Sequence, residues 1–263
     1  IQREAGVEVE AFVHGAMCVN YSGRCFLGQD VFGKSGNRGA CLQPCRREYL
    51  ITEVEEGVTY ILGQDYVLSA RDLCTLPFLE ELLGAGLDAF KIEGRNRNPE
   101  YVQTVVGAYR QAIDAWAAGG LTAELKGVLV QRLGEVYNRT FSEGFYHGRP
   151  VADFAASRRS QAEYRKEYVG PVRNYYDRAR VASIEVLSNT FRVGDELLIQ
   201  GRTTGVVRCT AGEIRVEGTP VDETPRGLVT LGLEQLVRAG DKVYVRVLRQ
   251  GCSAGETPPE PRG

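Results

Sequence analysis

Four cysteines fall within the first forty-five residues, in the segments Glu10-Ala-Phe-Val-His-Gly-Ala-Met-Cys18, Gly23-Arg-Cys25 and Gly39-Ala-Cys41-Leu-Gln-Pro-Cys45. They are seven, sixteen and four residues apart, and a fifth, Cys74, follows in Ser69-Ala-Arg-Asp-Leu-Cys74. Thiols this dense can converge on one soft-metal centre, so an iron–sulfur or zinc site is the first expectation. Two rivals stand beside it. Buried cysteines can pack as small hydrophobes, and zinc favours cysteine pairs with two to four residues between them, a spacing that only Cys41 and Cys45 meet. Cys209 and Cys252 lie far downstream, where packing is the default reading.

The compartment must suit such thiols. Seven cysteines is an odd count, and the start, Ile1-Gln-Arg-Glu, has neither a basic-then-apolar leader pattern nor an initiator methionine. The expectation is a cytoplasmic chain with reduced thiols, truncated, processed or cut from a longer product. No apolar run reaches the roughly 18 residues a membrane helix needs. A net charge of −2 neither requires nor excludes a nucleic-acid partner, because local clusters can still be basic.

Residues 7–14 alternate apolar and polar, as a strand does. Residues 15–48 hold six glycines and Pro44 without periodicity, a loop of a length that is usually functional. Tyr49–Val54 and Val58–Leu62 read as a hairpin across Glu55-Glu56-Gly57. A βα rhythm follows: a helix over 76–84, a strand at Leu87–Ile92, a long helix opened by Asn98-Pro99, and a helix near 122–136. The long helix carries Val102, Val105, Val106, Tyr109, Ile113 and Trp116 as its apolar stripe. Residues 139–166 read as a linker, and short β-type runs from 167 to 249 as a small β-barrel. Residues 250–263 read as a flexible tail.

Glu10, Phe12, Gly15, Ala16, Met17, Cys18, Gly23, Cys25 and Leu27 together resemble the signature of the collagenase-like peptidase family, peptidase family U-thirty-two. Gly28 departs from it, standing where the family has serine. Arg38-Gly-Ala-Cys41-Leu-Gln-Pro-Cys45-Arg46, Ser69-Ala-Arg-Asp-Leu and Phe90-Lys-Ile-Glu-Gly-Arg95 with Tyr101-Val extend the likeness. Tyr168-Val-Gly and Val193-Gly-Asp195 carry it into the C-terminal part. The resemblance implies α/β plus all-β architecture. Residues 1–138 would be the C-terminal part of a TIM-barrel-like domain, completed by an upstream segment or a partner chain, and a small β-barrel would follow. It also implies a four-iron (4Fe-4S) cluster and oxygen-independent hydroxylation. The nearest branch in layout acts on a tRNA wobble uridine, with prephenate as co-substrate.

The cluster ligands are then expected to be Cys18, Cys25, Cys41 and Cys45, with Cys74 as the alternative to one of them. Glu10 and His14, at the end of the first strand, are candidates for proton transfer, against the reading that they form a satisfied pair. Lys91 and Glu93 share one face of a regular strand and could hold an anion with the fork of Arg95, or form an ordinary ion pair. Arg24, Arg38, Arg46 and Arg47 surround the cysteines. Arg24, Arg46, Arg95 and Tyr101 are the substrate-binding candidates. Residues 158–180 interleave arginines with tyrosines, as an RNA surface or a solvated barrel face would. Two other functions stay open: a peptidase with a cysteine nucleophile and His14, and a non-catalytic, cluster-binding partner subunit.

Overall fold

The computed structural model describes residues 2–249 apart from Val19, Ser22, Glu48 and residues 63–68, 151–152 and 156–159. The expected tail, Cys252, Arg158 and Arg159 therefore lie outside the described residues. The chain divides into two compact units, Ile1–Ala162 and Glu163–Gly263.

In the first unit the elements run α1 (Gln2–Ala5), β1 (Glu10–Ala16), α2 (Leu27–Phe32), β2 (Tyr49–Thr52), β3 (Thr59–Leu62), β4 (Asp72–Cys74), α3 (Leu79–Gly84), β5 (Ala89–Ile92), α4 (Pro99–Ala117), α5 (Ala123–Gly134) and β6 (Phe141–Ser142). Helix starts follow the expected chemistry. Asn98 Oδ1 accepts from the Tyr101 amide at 2.9 Å and Thr122 Oγ1 from the Leu125 amide at 3.1 Å, satisfying N–H groups that lack helical partners. The hairpin forms too, with Tyr49 opposite Leu62.

The core joins β1, β4 and helices α3 to α5. Val13, Leu76, Leu79, Val105 and Leu129 are fully enclosed, and each such side chain contributes about 1.5–3 kcal/mol. On α4 the buried stripe is Tyr101, Val105, Ala108, Tyr109 and Ala112, whereas Val102, Val106 and Trp116 stay partly exposed. The helix is apolar on two sides, and periodicity alone could not say which side packs inward.

The expectation of parallel barrel strands is corrected here. The sheet order is β5-β1-β4-β6, with β1 parallel to β5 but antiparallel to β4, and four strands cannot close a barrel. The expected linker also changes character. β6 pairs in parallel with β4, and the Ala155 amide donates to Ser69 O at 2.7 Å, so much of this stretch is woven into the first unit.

The second unit is all antiparallel: β7 (Tyr164–Tyr176), β8 (Val181–Val186), β9 (Glu196–Gly201), β10 (Gly205–Thr210), β11 (Ile214–Val216), β12 (Thr219–Val221), β13 (Gly227–Gly232) and β14 (Lys242–Leu248). Their order is β10-β9-β14-β7-β8-β13-β11-β12. β7 pairs with β14 along its first half and with β8 along its second, so one strand serves both halves of the sheet. Val207 of β10 and Ile214 of β11 share one core with Val172, Ile184 and Val243, so the sheet must curl around it. It does not close, because β10 and β12 end the order without pairing to each other.

Candidate metal and substrate site

β1 and β5 run side by side and end together. Gly15 makes that convergence feasible: its φ is +123°, and a Cβ there would sit 2.6 Å from Glu93 O. Beyond these ends the chain encloses a cavity of about 420 Å3. Cys18, Cys25, Cys41 and Cys45 all line it, together with Arg46, Glu93, Arg95 and Arg97. The loop reaches this arrangement through short helical pieces that periodicity did not reveal, α2 and a 3-10 turn at Pro44–Arg46.

The donors that line the cavity are thiols, the ligands that soft metals take. Among the described residues no three His, Cys, Asp or Glu side chains are grouped closely enough to hold a single metal ion, as a tetrahedral zinc would require. A polynuclear cluster ties each thiolate to a different metal atom and so tolerates wider spacing. Backbone amides already point at two of the sulfurs: Asn20 N lies 3.4 Å from Cys18 Sγ, and Gln43 N lies 3.3 Å from Cys41 Sγ. Such amide bonds stabilise negative sulfur. Burial pushes the Cys45 thiol up, Arg46 pulls it down, and the thiols of Cys18, Cys41 and Cys25 push it up further.

A buried charge network braces the cavity, and the sequence reading found only one of its members. Arg46 donates to Ser69 Oγ at 2.6 Å, to Ala70 O at 2.7 Å and to Met17 O at 2.6 Å. This ties the turn bearing Cys45 to the strand end bearing Cys18. Asp72 on β4 faces Arg139 Nη1 at 3.4 Å and Arg97 Nη2 at 3.8 Å, and Arg139 also donates to Gln43 at 3.2 Å. Arg97 and Arg139 further stack on Tyr137, at 3.9 and 5.3 Å from the ring centre. Two guanidiniums thus share one carboxylate next to the thiols. Arg97, only two residues past Arg95, was recoverable from its position at a strand end. Asp72 lies within the Ser69-Ala-Arg-Asp-Leu segment of the family likeness but was given no role there, and Arg139 carries no local pattern that would have marked it.

The other candidates are placed differently. Cys74, the alternative ligand, is buried in the apolar core, where the Tyr109 hydroxyl approaches its sulfur at 3.9 Å, and it does not line the cavity. Lys91 and Glu93 do not act as a pair. β5 ends at Ile92; the Glu93 amide still donates to His14 O at 2.8 Å, and its Oε1 accepts from the Arg95 amide at 2.9 Å, where the chain turns. Lys91 instead pairs with Glu10 at 2.9 Å, and both are about half exposed. Neither Glu10 nor Lys91 borders the cavity. Tyr101 is 1% exposed and its hydroxyl donates to Glu93 O at 3.4 Å, which makes it a prop for the strand end. Arg95 reaches across the cavity mouth to Gly39 O at 2.9 Å. Arg24 is exposed and outside the lining. In the second unit Arg165, Arg173 and Arg180 are each engaged in ion pairs, which largely neutralises the run of cations anticipated there.

His14 is enclosed by the rings of Tyr101, Tyr109 and Phe141, with centroids 6.1, 5.6 and 5.6 Å away. A bulge in the pairing of β1 with β5 lets both Val13 and His14 point inward, against simple alternation. Burial, helped by the charge of Arg97, lowers its pKa from 6.5 to about 3. A histidine depressed this way keeps the fold stable above pH 6.5, and stability falls as the unfolded chain takes up the proton. Between pH 7 and pH 5 this group should remove about 2 kcal/mol of unfolding free energy. Urea titrations at both pH values should show that loss in the wild type and a much smaller one in His14→Gln. Equal losses in the two proteins would contradict the buried, neutral assignment.

These thiols sit within a recognisable sequence frame, since the profile of peptidase family U32 matches residues 1–155. The chain belongs to peptidase family U32. It is similar to a protein named collagenase from Porphyromonas gingivalis, 38% identical over 239 residues, covering 90% of this chain and 58% of that protein. It is likewise similar to an uncharacterized protease of Methanocaldococcus jannaschii, 41% identical over 246 residues, covering 91% and 60%. The Bacillus subtilis tRNA hydroxylation protein P1 is 30% identical over 201 residues, covering 75% and 47%. The chain thus spans about half to three fifths of the length of these U32 relatives. No helix among the described residues is long and apolar enough to cross a membrane.

Proposed function

We propose that this chain is the cluster-bearing part of a cytoplasmic RNA-modifying enzyme that hydroxylates a tRNA base, the wobble uridine, with prephenate as co-substrate. The observation that carries this reading is the meeting of four cysteines on one cavity that Arg46 and Arg97 also line. Cys18, Cys25, Cys41 and Cys45 would hold a 4Fe-4S cluster. When bound, it would supply redox or Lewis-acid chemistry beside the substrate.

The chain's own groups do the rest. Arg46 and Arg97 place positive charge against the thiolate-bound cluster and against an anionic co-substrate. Arg95 and Glu93 form the rim. Relatives named for tRNA hydroxylation stand beside those named collagenase or protease, and the fate of the histidines weighs against the peptidase reading. His14 is sealed in the core, and His147 is exposed and bonded to Glu143 at 2.8 Å and Glu81 at 3.3 Å. Neither lines the cavity, so this chain itself brings no histidine base to the cysteines there.

Mass spectrometry of tRNA from a strain lacking this gene tests the reaction. Hydroxylated wobble uridine should disappear, return with the wild-type gene and stay absent with the Cys45→Ala gene. An unchanged nucleoside profile in the deletion strain would overturn the assignment.

A further inference from the structure

Three hollows on the first unit are neighbours, each sharing a lining residue with the next. The cysteine cavity and an apolar slot of about 250 Å3 share Met17, and that slot shares Gly144 with a third hollow of about 410 Å3. The slot is walled by Phe12, Met17, Leu73, Gly144, Phe145 and Tyr146. Phe12 is 49% and Phe145 69% exposed, so two aromatic rings face water side by side, unlike apolar residues scattered singly over a surface.

The slot is built rather than accidental. The Tyr146 hydroxyl donates to Phe12 O at 2.6 Å, which bolts its loop to β1 and leaves the tyrosine ring as the surface on offer. Gly144 has φ +63°, and a Cβ there would lie 2.9 Å from Leu73 Cδ1 and 3.3 Å from Met17 Sδ. A side chain would therefore crowd the wall between slot and cavity. Lys91 Nζ stands 5.1 Å from the centre of the Phe12 ring and adds a cation at the edge. In the third hollow Arg71 is paired with Asp153 at 3.5 Å and His147 with Glu143. Arg149 lines the same hollow and has no ion-pair partner among the described residues.

Aromatic walls suit a flat ring, and an unpaired guanidinium beside them suits a phosphate. A nucleotide carries both. We propose that the slot receives an unstacked base of single-stranded RNA, with Arg149 on its phosphate, and so presents the base to the cysteine cavity across Met17. This rests on the RNA reading of the cavity and adds its substrate subsite.

The test uses a 17-nucleotide anticodon stem-loop carrying 4-thiouridine at the wobble position, mixed with the anaerobically prepared chain. Ultraviolet cross-links should map to residues 143–147 or to Phe12. Phe145→Ala should weaken binding roughly 5- to 150-fold, as loss of one base-stacking partner does, while Phe145→Trp should bind like the wild type. Arg149→Gln should weaken binding and lower the dependence of log affinity on log salt by about one. Phe145 is mostly exposed, so its variants should keep the wild-type melting temperature, which circular dichroism checks. Wild-type binding with cross-links elsewhere and no effect of Phe145→Ala would overturn the slot and leave the RNA reading standing. No binding of the stem-loop by the wild-type chain would overturn both.

Discussion

Replacing any one of Cys18, Cys25, Cys41 or Cys45 by alanine should cut the iron retained by anaerobically prepared protein by at least roughly tenfold, since even supporting residues around metal sites are worth 10- to 100-fold in affinity. Visible absorbance should fall with it. Cys74→Ala should keep both, because its sulfur sits in the core with Val13 and Tyr109 and away from the cavity lining. The cost of Cys74→Ala should be about 1 kcal/mol of stability from lost packing. The contrast discriminates sharply, because the sequence allowed any four of five thiols. If Cys74→Ala bleaches the protein and one of the other four variants does not, the ligand set is wrong.

Asp72→Ala should lower the unfolding free energy by about 3–5 kcal/mol, the range for removing one partner of a buried charge network. Asp72 is 1% exposed, and it is the carboxylate that Arg97 and Arg139 both face. Burial pushes its carboxyl up, while Arg139, Arg97 and Arg46 pull it down. Removing it leaves buried guanidiniums repelling one another across the floor of the cavity, and Arg46 could no longer hold the Cys18 and Cys45 segments together as firmly. Urea unfolding would read the loss directly. Adding Arg139→Met to Asp72→Ala should recover part of it, because one of the uncompensated charges leaves with its partner. A change below about 1 kcal/mol would show that water or local rearrangement satisfies the arginines without Asp72.

Much of this architecture could be read from residue pattern because it depends on local rules. Asn98-Pro99 and Thr122 open α4 and α5 where expected, and the short β-type runs after residue 167 form antiparallel strands such as β8 and β11. The cysteines were legible as a group because their chemistry is rare and their spacing dense. What escaped depends on long-range packing. The second apolar side of α4 is invisible to periodicity, and the inward turn of both Val13 and His14 needs a bulge set by pairing with β5. Asp72 and Arg139 meet only because β4 and the residues before β6 are brought together, 67 positions apart in sequence. Lys91 and Glu93 looked like partners on a regular strand, but the strand stops between them.

The account stands most directly on the iron and acid-labile sulfide content of the unaltered chain, purified without air. It expects close to four of each per chain, with a visible absorbance band that bleaches on reduction. A colourless protein without sulfide, or one carrying a single zinc, would contradict it.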